Sequence, residues 1–251
     1  MILNNLKKYD LHNGECIEIM RKIEDKTIDM ILCDLPYGIT DCSWDNIIPF
    51  DEMWEQYNRI IKDNGAIVLF SVQPFTTKLI NSNINNYKYS WYWIKNTSTG
   101  FVFAKHQPMR KVEDINVFYK KKPLYIPQGL IELEKPIVKK GKSKISNNDI
   151  IYNEKSLMKE YIAKYTNYPK NVLFFNKETK TVHPTQKPVD LLEYLIKTYT
   201  KENYIVLDNC MGSGSTGVAC ANTNRRFIGI ELDNKYFEIA KKRIEESYLN
   251  R

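Results

Sequence analysis

The chain alternates short apolar runs with stretches of amphipathic spacing. Ile28 to Cys33 is a short apolar run ending at Asp34, and Ala66 to Ser71 is another, after a turn predicted at Asn64-Gly65. Both read as strands. Cys16 to Ile23 and Phe50 to Ile61 carry helical spacing, and Pro74 opens a further helix toward Ile80. Ser90 to Lys95 and Asp114 to Tyr119 read as strands. The rhythm is then lost, with Pro123, Pro127, Pro136 and Pro169 scattered through a segment whose periodicity returns only at Glu154 to Tyr165. Beyond Pro188 it resumes: a helix at Val189 to Tyr199, strands at Tyr204 to Leu207 and Phe227 to Glu231, and helices from Ser215 to Ala221 and Lys235 to Ile244. Such alternation predicts an α/β fold with a largely parallel sheet and helices on its faces. The interruption predicts a body formed by residues 1–119 and 181–251, with 120–180 as an insertion.

Composition narrows the class. Of 251 residues 43% are hydrophobic and 27% charged, which supports an ordinary core without staples. No apolar run is long enough to span a bilayer and no leader is expected, so a membrane is not a predicted partner. The five cysteines are odd in number and form no C-x-x-C pair, which fits a reducing cytoplasm and argues against a zinc site. The net charge of +7 is uneven. Lys120 to Lys180 holds 14 lysines, no arginine and six acids, so this segment carries the whole surplus. A basic segment on a neutral body is the footprint of a polyanion partner or a solvated lysine-rich surface.

Three segments carry chemistry. In Asp208-Asn209-Cys210-Met211-Gly212-Ser213-Gly214-Ser215-Thr216 a strand runs into a glycine turn and a helix, where backbone N–H groups meet a ligand. A second strand ends at Glu231, 23 residues after Asp208, where a carboxylate can accept both hydrogens of a ribose diol. The spacing differs from the three-glycine dehydrogenase turn, because Gly217 lies too early. Asp34-Leu35-Pro36-Tyr37-Gly38 closes the first apolar strand, at the strand end where α/β sheets bind ligands. His183-Pro184-Thr185-Gln186-Lys187-Pro188 precedes an amphipathic helix and puts donors near its positive end.

In this order the segments resemble the S-adenosylmethionine-dependent amino-methyltransferases of DNA, specifically the circularly permuted group of bacteria and phages. Asp34 to Tyr37 resembles that family's Asp-Pro-Pro-Tyr motif, with Leu35 in place of the first proline. Asn209 to Thr216 resembles its cofactor loop, with Asn209-Cys210 in place of Pro-Phe. His183 to Pro188 matches its His-Pro-Thr-Gln-Lys-Pro motif, and Thr99-Gly100-Phe101 fits as well. The resemblance implies a permuted Rossmann-like methyltransferase fold with a small target-recognition insertion at 120–180, and double-stranded DNA as substrate. It assigns the cofactor to Glu15, Asp34, His183, Thr185, Lys187, Asp208, Gly212, Ser213, Gly214, Ser215, Thr216 and Glu231.

The same resemblance implies catalysis by Asp34, Leu35, Pro36 and Tyr37. The carboxylate and the Leu35 carbonyl would bond a target amine, Tyr37 would stack on the extruded base, and the methyl would pass directly. Aspartate at the first position resembles the N6-adenine enzymes and serine the N4-cytosine ones, so adenine is expected and cytosine N4 is the alternative. Carbon-5 chemistry would need a Pro-Cys dipeptide, and the chain has none. A nicotinamide oxidoreductase would leave Asp34 to Tyr37 without a role, and a silent DNA-binding relative would not need them. Lys139, Lys140, Lys142 and Lys144 are expected to neutralise phosphates without reading bases. A second copy of the chain and a restriction endonuclease are partners that the resemblance allows and no residue specifies.

Overall fold

The computed structural model describes residues 8–38, 46–140, 160–178 and 186–250. Two units are formed, Met1–Ile126 with Asn171–Arg251, and Pro127–Lys170. In the first, strand β1 (Tyr9–Asn13) leads to helix α1 (Cys16–Met20), β2 (Ile28–Asp34), α2 (Phe50–Ile60), β3 (Ile61–Ser71) and α3 (Phe75–Ser82). β4 (Tyr87–Thr99) and β5 (Arg110–Phe118) flank a 3-10 turn at Phe101–Phe103. The smaller unit holds β6 (Ile131–Lys139) and β7 (Tyr161–Thr166), and the first unit resumes with β8 (Val172–Phe174) and α4 (Val189–Tyr199). β9 (Ile205–Asp208), α5 (Ser215–Asn222), β10 (Arg226–Glu231) and α6 (Asn234–Leu249) complete it.

The sheet order is β1-β10-β9-β2-β3-β5-β4-β8. From β1 through β3 every pairing is parallel, β5 is antiparallel to both β3 and β4, and β8 lies parallel to β4. A strand covered on both faces is largely apolar, and β2 is buried from Ile28 to Cys33 with Asp29 as the one charge in that span. Its side chains alternate between two cores. Met30 and Leu32 join Val68 and Phe70 of β3 under α4, α5 and α6. Ile31 and Cys33 join Ile67, Leu69 and Leu207 under α1, α2 and α3.

Several expectations are corrected. The turn expected at Asn64-Gly65 lies inside β3, as an irregularity where the register with β2 slips between Ile28 and Met30. A Cβ on Gly65 would come within 2.9 Å of the Asp29 carbonyl oxygen, so glycine there permits close strand approach rather than a reversal. β1 was not expected, because a half-buried edge strand with Asp10 and His12 has no apolar run. The smaller unit, Pro127–Lys170, lies within the 120–180 stretch expected as an insertion, and Val172–Phe174 of that stretch joins the main sheet through β4. Within the smaller unit, β6 and β7 pair as an antiparallel hairpin, braced by Asn167 donating to the Gly129 carbonyl at 2.7 Å.

Candidate active site

The chain leaves β9 outward to β10, and leaves β2 in the other direction to β3. Between β9 and β2 the order reverses, which opens a crevice beyond the strand ends. Ile31 lies opposite Leu207 in this pair, so three further residues on each strand reach Asp34 and Cys210. The two motifs lie far apart in sequence and side by side in space. A cavity of about 500 Å³ sits there, lined by Glu15, Asp34 to Tyr37, Asp208 to Ser213, Lys187 and Glu231 among others.

One wall is a chain of charges. The Tyr37 hydroxyl donates to Asp34 Oδ1 at 2.5 Å, and the Lys187 ammonium pairs with Asp34 Oδ2. Lys187 Nζ also lies 3.5 Å from Glu113 Oε2, and Lys95 Nζ donates to Glu113 Oε1 at 3.0 Å. Two carboxylates and two ammonium groups thus balance. Lys95 and Lys187 are buried, with Lys187 over the Phe70 ring at 5.2 Å. Burial, with Glu113 nearby, holds the Asp34 carboxyl above its ordinary pKa even though Lys187 pulls the other way. Burial also acts on Glu113, but Lys187 and Lys95 outweigh it and keep that carboxyl below its ordinary value. Burial is likewise overcome at Lys187, whose two carboxylate neighbours hold its proton tightly. The Tyr37 ring tilts against Phe75 at 5.1 Å, in contact with Phe50 beyond it.

The other wall is the glycine turn. Glu231 accepts from the Gly212 N–H and the Asp233 N–H, both at 2.8 Å, and burial raises its pKa. Asp208 accepts from the Thr216 hydroxyl at 2.6 Å and the Cys210 N–H at 3.1 Å, tying the turn to the start of α5. Its burial pushes the carboxyl up to about 6. Gly214 has φ +81°, and a Cβ there would meet Ala240 and Ile244 of α6 at 2.9 Å. Gly217 serves packing, because its Cβ would lie 2.5 Å from Ile244 Cδ1 and 2.8 Å from Phe227. Arg243 of α6 donates to the Ser213 carbonyl at 2.5 Å and holds the turn from behind.

Among the expected residues, Asp34, Leu35, Pro36, Tyr37, Glu15, Lys187, Asp208, Gly212, Ser213, Ser215, Thr216 and Glu231 line this one cavity. Gly214 instead shapes the turn. Glu15 also caps α1, accepting from the Ile17 and Glu18 N–H groups at 3.0 and 2.8 Å. Lys187, expected at the cofactor, bonds the carboxylate of Asp34. Cys210 is held as a thiol, its pKa driven up by hydrogen bonds with Cys16 and Cys33 and by burial. His183, Thr185, Lys142 and Lys144 lie outside the described residues; Lys140 belongs to the smaller unit, as does the backbone of Lys139. Glu113, Lys95 and Arg243 were missed. The first two had no readable signal, because β4 also carries Lys88 and β5 carries Arg110, Lys111 and Asp114 beside Glu113.

Comparison with known proteins places this geometry. The N6/N4 DNA methylase family profile matches residues 28–242. The type II methyltransferase M.HpaI of Haemophilus parainfluenzae is 28% identical over 94% of this chain and 74% of its own length. M2.MboI of Moraxella bovis is 26% identical, covering 96% of this chain and 89% of that protein. The crystal structure of the M1.HpyAVI–SAM complex superposes with a TM-score of 0.61 at 26% identity, over 94% of this chain and 99% of that one. The cytosine-N4-specific PvuII DNA methyltransferase shares the fold, with a TM-score of 0.67 at 14% identity over 98% of this chain and 93% of that one. The chain belongs to the N6/N4 family of DNA methylases.

Proposed function

We propose that this DNA methyltransferase transfers a methyl group from S-adenosylmethionine to the exocyclic N6 amine of adenine in double-stranded DNA, with the target base turned out of the helix. The observation that carries the reading is the Asp34 carboxylate at the crevice, backed by Lys187 and Tyr37. Aspartate at this motif position resembles the N6-adenine enzymes. The donor set also suits the cofactor. A buried carboxylate at a strand end accepts from a diol, and a glycine turn opening a helix receives the methionine end. Glu231 and the turn from Gly212 to Thr216 would hold it.

When bound, S-adenosylmethionine supplies an electrophilic methyl group and a neutral leaving thioether. The remaining work falls to the chain's own groups. An aromatic amine delocalises its lone pair into the ring, and hydrogen bonds from its two N–H groups to Asp34 and the Leu35 carbonyl favour a pyramidal nitrogen with that pair free. Each carboxylate oxygen of Asp34 has two lone-pair directions, so its bonds to Lys187 and Tyr37 leave room for the amine. Glu113 offers Lys187 a second seat, which lets the ammonium lean away as the amine arrives. Asp34 then takes the departing proton directly or through water. The stretch 120–180 would serve target recognition, with Lys139, Lys140, Lys142 and Lys144 on phosphates.

Expression in a host free of DNA methylation, followed by nucleoside mass spectrometry and sequencing of its DNA, tests the reading. N6-methyladenine at a defined site is expected. N4-methylcytosine would transfer the same machinery to the other amine, and unmodified DNA would remove the activity.

A further inference from the structure

Between β4 and β5 the chain projects a small, ordered, apolar tip. Phe101 is 80% exposed, Val102 86% and Phe103 55%, an arrangement that water disfavours and packing does not relieve. Nor is the tip a slack loop. The Phe103 N–H bonds the Gly100 carbonyl and the Ala104 N–H bonds the Phe101 carbonyl, both at 3.0 Å, while the His106 and Gln107 N–H groups bond the Phe103 carbonyl at 2.9 and 3.0 Å. Gly100 enters it at φ +89° in open space, so glycine is there for the backbone turn alone. The tip is thus built to hold apolar side chains in solvent.

Its base stands at the active site. Thr99 and Arg110, paired across the two strands, both line the cavity that holds Asp34. The Thr99 hydroxyl lies 3.5 Å from Lys95 Nζ, the last member of the charge chain leading to Asp34. Its frame is cationic. From Gly100 to Lys111 the chain carries Lys105, Arg110 and Lys111, all exposed, and no acid. An apolar point in a basic collar beside a base-sized crevice matches one partner, the stacked core of a duplex whose phosphates flank it.

We propose that the Gly100–Phe103 turn is a wedge, with Phe101 and Val102 entering the base stack and filling the gap left by the extruded nucleotide. The inference rests on the proposed extrusion of the target base. A filled gap removes the empty space that would draw the base back, so the wedge prolongs the extruded state. Its contribution should disappear when the duplex itself no longer holds the base.

The test uses the full-length enzyme and its Phe101→Ala, Val102→Ala double variant; both side chains are in solvent, so folding is undisturbed. The probes are duplexes bearing the sequence that the wild type is found to methylate, one fully paired and one with an abasic site opposite the target. Single-turnover transfer from methyl-tritiated cofactor reads whichever base accepts. The variant should be slower by about tenfold or more on the paired probe, and within about threefold of wild type on the abasic one. Equal loss on both probes, or no loss on either, overturns the wedge. So does sedimentation showing that the variant breaks a dimer formed by the wild type, which would assign the tip to a second copy. Fluorescence of 2-aminopurine at the target position separates the two levels. A wild type that gives no brightening brings down the extrusion and the wedge with it, whereas equal brightening by wild type and variant overturns the wedge alone.

Discussion

Replacing Lys187 with methionine tests how the charge chain sets the protonation of Asp34. The side chains are similar in length, but the substitution leaves Asp34 and Glu113 facing one another with only Lys95 to balance them. Lys95 is bonded to Glu113, so the uncompensated charge falls on Asp34. Removing one partner of a buried ion pair costs about 3–5 kcal/mol. The Asp34 side chain is 22% exposed, which favours the lower end of that range. Taking up a proton relieves the cost, so the pKa of Asp34 should rise further from a value already above the ordinary one. Since only the ionised form accepts a charge-assisted bond from the amine and can take its departing proton, the acidic limb of the single-turnover rate should move up with it. Rates should fall at a pH where the wild type is still fully active and recover as the pH is raised.

Three controls sharpen this. Lys187→Arg keeps the charge and should keep the limb near its original position. Glu113→Gln removes a repulsion and should move it downward. Cofactor affinity in Lys187→Met, measured by calorimetry, should stay within about tenfold, or 1.4 kcal/mol. The stability change has a definite sign. A carboxyl whose folded pKa is raised favours the fold below its unfolded pKa and loses that advantage as pH rises through the folded one. The melting deficit of Lys187→Met should therefore shrink on acidification. An acidic limb that stays in place while cofactor affinity collapses would refute the reasoning and return Lys187 to the cofactor.

Glu231→Ala removes the acceptor proposed for the ribose diol and should weaken cofactor binding by about 1.5–3 kcal/mol in calorimetry; unchanged affinity would take Glu231 out of the site. Asp208→Asn removes a carboxyl held at about 6 against an ordinary 3.8. The wild type should therefore lose up to about 3 kcal/mol relative to that variant as pH rises from 4 toward 7, and parallel urea midpoints across that range would argue against the burial. Alanine at Lys139, Lys140, Lys142 and Lys144 should weaken specific and non-specific duplexes alike, flattening the plot of log affinity against log salt by about 0.9 per lost phosphate contact; lost discrimination at unchanged slope would mean that they read bases.

What the sequence revealed follows burial and locality. β2 and the second half of β3 were legible because segments buried on both faces run apolar, as Met30 to Cys33 and Ala66 to Phe70 do. β1 was not, since one half-covered edge strand can carry Tyr9, Asp10 and His12 and still pair with β10 along its length. Within the site, Asp34, Glu231 and the glycine turn were legible because each sits in a contiguous motif at a strand end. Glu113 and Lys95 belong to strands with no motif, and only the antiparallel pairing of β4 with β5 brings them together. Lys187 was legible in its motif but its pairing with Asp34 was not, since its neighbours in sequence say nothing of the carboxylate 153 residues away that it meets in space.

A buried charge does not by itself mark function, and this chain contains both kinds. Asp29 is buried far from the crevice, where it accepts from the Ile205 N–H at the start of β9 and pairs with Lys62 at 2.6 Å. Arg225 is buried too, bonding the Thr200 carbonyl and hydroxyl at 2.7 and 3.0 Å and also the Thr223 carbonyl. Both are satisfied at strand or helix ends, close off backbone groups that would otherwise be unpaired, and do not line the cavity that holds Asp34. Lys95, Glu113, Lys187 and Asp34 instead satisfy one another, and all four line open space. Well-packed apolar residues could replace such a cluster at little cost to stability. Its presence at a strand-end crevice therefore points to what enters: an amine that needs an ionised acceptor in a place where an isolated carboxyl would take up a proton.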